Sequence, residues 1–132
     1  QCEPPRLLKV SWLFGPNPGF SEVEVRLSSE DDGTLLELRH TADVPPEMWG
    51  IYGPGAVGVG WDLTLLGLAL HLTGAPKPDE NTFHLTDEGR RSIIASSEAW
   101  GRAYEAAGGD PKEVATAVAK TTNFYAPEEN QS

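Results

Sequence analysis

The side chains of this chain that could carry chemistry are few: three histidines, one cysteine, and scattered serines and carboxylates among 132 residues. His40, His71 and His84 form neither an H-x-x-x-H nor an H-E-x-x-H spacing, and no carboxylate stands where it would complete a ligand set. No metal is expected. Cys2 is the single cysteine, which excludes an intrachain disulfide and a thiolate cluster, and one thiol is compatible with a reducing cytosol. The serines of "SSEAWG" (residues 96–101) lack the G-x-S-x-G context of a nucleophile elbow. No nucleophile–base pair is legible, so no catalytic residue is assigned.

Three further features have plain structural readings. "GPGAVG" (residues 53–58) fits G-x-G-x-x-G, but a dinucleotide site needs a strand directly before it and a βαβ unit around it. "PPEMWGIY" before it is a poor strand, so the glycines are expected to be a flexible lead-in to a helix and no cofactor is expected. Asp62 is read as a carboxylate near a helix start, favoured by the helix dipole. Glu30, Asp31 and Asp32 read as a solvated turn.

His40 stands apart. It closes "GTLLELRH" (residues 33–40), where Leu36, Leu38 and His40 fall on one face of a strand. A titratable ring at the end of an apolar row is either satisfied by a backbone carbonyl or given a polar task. His71 falls on the polar strip of a helix, and His84 lies in a loop before a helix cap.

The elements that must position these residues follow from periodicity. Residues 6–14, "RLLKVSWLF", alternate as a strand with Leu8, Val10, Trp12 and Phe14 on one face. Residues 21–28 alternate again, Val23, Val25 and Leu27 opposing Glu22, Glu24 and Arg26. "SSEDDG" turns the chain, with Asp32-Gly33 as the strongest signal, into a third strand over 34–41. Three antiparallel strands in a meander give one dry face and one wet face. Residues 42–60 read as irregular. Over 57–72 the period becomes helical: Trp61, Leu65, Leu68 and Leu72 form one stripe, and Leu63, Leu66 and Leu70 fall nearly opposite. A helix apolar on two sides is expected to be covered on both, by the sheet on one and by another helix or subunit on the other. Thr86 caps a second helix with inner stripe Ile93, Ser97, Trp100 and Tyr104. Asp110-Pro111 opens a third with stripe Val114, Val118, Thr121 and Tyr125. "PEENQS" is a frayed tail.

"EPPRLLKVSW" (3–12), "SEVEVRLSSEDDGTLLELRHT" (21–41) and "GVGWDLTLLGL" (58–68) resemble the second half of a START-like (SRPBCC, helix-grip) domain. The branch they resemble is named for homology to an activator of a heat-shock chaperone ATPase. That resemblance implies an α+β fold: an antiparallel β-meander gripping a long α-helix, then two additional C-terminal helices. It implies residues 1–72 as the C-terminal portion of the domain, with Gln1 beginning mid-domain, and residues 73–132 as a helical extension packed on it. It also implies a cavity between sheet and helix, faced by Trp12, Leu36, Leu38, His40, Trp61 and Leu65.

The aromatic and leucine lining then points to a binding module for a small apolar or amphipathic ligand. A chaperone-type protein-interaction domain, or an enzyme of the cyclase or dehydratase type needing His40 or an acidic residue within reach of a pocketed substrate, are the alternatives that the family implies. The apolar sheet edge predicts a homo-oligomer or a missing N-terminal segment. The formal net charge of −10 repels phosphate backbones and argues against nucleic acid as a partner. Residues 57–72 include Asp62 and read as too short to cross a bilayer comfortably, so no membrane span and a cytoplasmic protein are expected.

Overall fold

A computed structural model describes residues 1–128, so the last four residues of the expected tail lie outside the described chain. The protein is α+β and forms two compact units, Gln1–Pro45 and a second beginning at Pro46.

The first unit is a four-stranded antiparallel sheet in chain order: β1 (Cys2–Glu3), β2 (Leu7–Ser11), β3 (Ser21–Glu30) and β4 (Gly33–Ala42). Sequence periodicity finds three of these. The two-residue β1 is too short to show a pattern, and it pairs Cys2 with Leu8 and Glu3 with Leu7. β2 stops at Ser11 rather than running to Phe14, because the following loop carries Pro16 and Pro18, which cannot donate to a ladder. One backbone bond continues the pairing, Trp12 N donating to Ser21 O at 2.9 Å.

The β3–β4 hairpin turns one residue earlier than the Asp32-Gly33 signal suggests. Glu30 pairs with Gly33, and Asp31 occupies the left-handed region at φ +48°. Aspartate tolerates that region because its short side chain can bond locally. The resulting register sets Val23 opposite His40, Val25 opposite Leu38 and Leu27 opposite Leu36. β2 adds Leu8 opposite Val25 and Val10 opposite Val23. One face of the sheet is therefore an apolar row that ends at His40.

The other face is a lattice of charge. Glu24, only 7% exposed, has Arg26 Nη2 at 3.1 Å, Lys9 Nζ at 3.7 Å and Arg39 Nη1 at 3.8 Å. The hydrogen bond from Arg26 lowers the Glu24 carboxyl below its ordinary value; burial opposes it, and the charges of Arg26, Lys9 and Arg39 add to the lowering. The same contact raises Arg26.

The second unit is helical: α1 (Pro46–Tyr52), α2 (Gly55–Thr73), a 3-10 turn at Phe83–Leu85, α3 (Asp87–Ala106) and α4 (Pro111–Tyr125). α1 lies in the stretch expected to be irregular. Pro46 ends the strand region and opens this helix, because its fixed φ suits a first helical position. The caps of α3 and α4 are those the sequence announces. Thr86 accepts from Gly89 N at 2.9 Å, and Asp110 accepts from Lys112 N and Glu113 N, each at 3.2 Å. Gly74 ends α2 at φ +73°, with Ala75 N bonded to Leu70 O at 3.0 Å.

The core of this unit is built from Val59, Ile93, Val114 and Ala117, with Ser97 and Thr121 buried among them. The glycines before and within α2 are its packing seam and not a flexible lead-in. A Cβ at Gly58 would lie 2.2 Å from the Trp100 ring. Gly53, at φ +57°, leaves room for the Tyr104 ring, 2.8 Å from where its Cβ would be.

Candidate functional site

The candidate site is built on the apolar face of the sheet. Strand alternation puts Ser21, Val23 and Val25 of β3 on that face, and the hairpin register brings Leu36, Leu38 and His40 of β4 beside them. At the end nearer Ala42, Ser21 Oγ lies 2.9 Å from His40 Nε2, a part-buried contact. Which atom donates follows the tautomer, since a hydroxyl can do either. Trp12 stands across from Ser21 through its backbone bond to that residue, with about half of its own surface (52%) exposed. Leu36, Leu38 and His40 are each half-buried.

Of the six residues expected to line a cavity, the structure therefore brings Trp12, Leu36, Leu38 and His40 onto one face of the first unit. Trp61 and Leu65 belong to α2 in the second unit, one helical turn apart, and both are partly exposed. Ser21 is the residue that the sequence reading missed. Its signal is the register: a turn centred on Asp31 and Asp32 makes it the diagonal neighbour of His40, whereas a turn at Asp32-Gly33 does not.

A second concavity lies wholly within the helical unit. Leu63, Leu66 and Leu70 of α2 face Phe83 and the Lys77–Glu80 segment across a groove of about 320 Å³. That volume is at the small end of ligand-sized pockets. These leucines form the second apolar side of α2.

Asp62 does not sit at a helix start. It lies two turns into α2, and its Oδ2 accepts from Ser96 Oγ at 2.5 Å and from Trp100 Nε1 at 3.0 Å. This carboxylate ties α2 to α3. Nearby, the Tyr125 hydroxyl donates to the Ala56 carbonyl in the first turn of α2. Burial pushes this phenol above its ordinary value, and a backbone hydrogen bond from Gly60 offsets part of the shift. Buried Ser97 Oγ has no protein hydrogen-bond partner and borders a small cleft of about 10 Å³ between α1, α2, α3 and α4, room for about one water.

Among the described residues no three His, Cys, Asp or Glu side chains cluster as a metal site. By length and composition alone, Gly55–Thr73 is long and apolar enough to cross a membrane, with mean hydropathy 1.4 over an 18-residue window.

No protein-family model, curated protein or solved structure matches the chain.

Proposed function

We propose that this protein is a START-like binding module that holds a small apolar or amphipathic ligand against the apolar face of its sheet. The observation that carries the reading is the Ser21–His40 contact at the end of an otherwise apolar row. A pocket that recognises an amphipathic molecule needs a large apolar wall and a small number of placed polar groups. Leu36, Leu38 and Trp12 supply the wall, and the Ser21–His40 pair supplies donor and acceptor capacity at one end.

Thermal-shift titration with amphiphiles of graded chain length, such as alkanols and alkanoates, tests the reading. Binding that weakens in Ser21→Ala and His40→Ala, and that is unchanged in Leu66→Ser of the α2 groove, supports it. Equal binding by all three variants, or loss only in Leu66→Ser, defeats it.

One observation favours a second reading. An imidazole held by a hydroxyl is the starting geometry for general acid–base work. His40 would then act on a ligand in the same place. A substrate turned over by the wild type and equally by His40→Ala removes that role.

A further inference from the structure

β4 is an edge strand of the described sheet, ten residues long and paired to β3 one-to-one with no bulge. Long, regular edges are the sites at which sheets add another strand. Which backbone groups face outward follows from the ladder. Asp43 N donates to Phe20 O at 2.8 Å, so the odd-numbered residues at this end of the hairpin exchange their bonds with β3. The even-numbered residues of β4, Leu36 and Leu38 among them, turn N–H and C=O toward the outer edge.

A second β4 laid antiparallel along that edge must pair even residues with even residues. A two-fold axis can then pass through any one residue of the strand, and the charges discriminate among the choices. An axis at Glu37 sets glutamate against glutamate, and an axis at Arg39 sets arginine against arginine. An axis at Leu36 or His40 puts no opposite charges across from each other. With the axis at Leu38, Glu37 of each copy faces Arg39 of the other, twice. These fall at non-hydrogen-bonded positions, where side chains across the ladder come closest. Both residues are exposed, on the wet face of the sheet.

We propose that β4 is a self-complementary edge through which two copies of this chain pair antiparallel about Leu38, joining their sheets into one. The inference does not depend on the ligand reading, since it uses the strand edge and the opposite, charged face.

Sedimentation velocity of the full chain over a range of concentrations tests it, with each single charge reversal and their mixture. Wild type is expected to dimerise. Glu37→Lys and Arg39→Glu each replace two attractions with two repulsions and should each weaken the dimer about tenfold or more. Mixed one to one they restore both attractions, so the mixture should dimerise when neither variant does alone. A wild type that stays monomeric, a dimer indifferent to both reversals, or a mixture that stays monomeric would each overturn the proposal.

Arg39→Glu puts a carboxylate opposite Glu24 and risks the fold. Cysteine cross-linking in a Cys2→Ser background covers that outcome. The paired Leu38 Cα atoms would be about 5.5 Å apart, within disulfide reach. Leu38→Cys should form a disulfide-linked dimer on mild oxidation and Leu36→Cys should not. Linkage at position 36 alone, or at neither position, overturns the register.

Discussion

The indole of Trp100 lies against Gly58, so close that a Cβ there would overlap the ring. No rotamer of a larger residue at position 58 avoids it, because the clash begins at Cβ. Gly58→Ala should therefore destabilise the helical unit by about 1–3 kcal/mol, the usual cost of overpacking. Gly67 is the matched control: it lies in the same helix, and a Cβ there meets nothing within 4 Å. Gly67→Ala should be neutral or stabilising by up to about 1 kcal/mol, through helix propensity. Urea unfolding of both variants checks the pair, and equal effects would mean that Trp100 does not rest on α2.

Asp62 accepts two hydrogen bonds from α3, and both donors lose their acceptor in Asp62→Ala. The expected cost is about 1–3 kcal/mol, that of leaving part-buried donors unsatisfied. Asp62→Asn keeps one acceptor oxygen and should cost less. Denaturant unfolding gives the energies, and tryptophan emission shifting to the red in Asp62→Ala would report water reaching Trp100.

Glu24 gives the sheet an acid-sensitive component. Its carboxyl is held below the ordinary value of 4.5, chiefly by the hydrogen bond from Arg26. A lowered folded-state value means that the stabilisation is present above the ordinary value and is lost as pH falls through the folded one. Thermal midpoints measured from neutral pH downward should fall less steeply for Glu24→Gln than for wild type. At neutral pH the variant should be the less stable of the two. Parallel curves would contradict the charge lattice.

Tyr125 gives α2 an alkaline counterpart. Burial raises its phenol above 10.0, so the protonated form is favoured by folding. Stability from this group is intact below the ordinary value and is lost as pH rises through the folded one. Tyr125→Phe should flatten the alkaline limb of the stability profile while losing the hydrogen bond to Ala56 at neutral pH. Absorbance titration of tyrosinate in both proteins would identify the late-ionising phenol.

The parts of the fold legible in the sequence are those with a local physical cause. Thr86 and Asp110 announce their helices because a cap needs only a side-chain oxygen and the next few amides. The stripes Ile93–Ser97 and Val114–Thr121 are legible because helical periodicity alone selects the buried side. The alternation of Val23, Val25 and Leu27 against Glu22, Glu24 and Arg26 marks the two faces of the sheet in the same way.

What escaped depended on a choice between equally local signals or on distant neighbours. Asp32-Gly33 is the stronger turn dipeptide, yet Asp31 takes the left-handed position, and that single-residue difference hides the Ser21–His40 contact. Pro45-Pro46 reads as a breaker and also opens α1. Gly53 and Gly58 look like flexibility until Tyr104 and Trp100, over forty positions later in the chain, are seen to occupy the space.

Amide chemical-shift mapping during titration with a chain-length series of alkanols and alkanoates tests the central claim most directly. If the sheet face is the ligand wall, saturable shifts concentrate at Trp12, Ser21, Leu36, Leu38 and His40, and His40→Ala weakens them. Saturable shifts confined to Leu63, Leu66 and Leu70, or no saturable shifts with any member of the series, would contradict it.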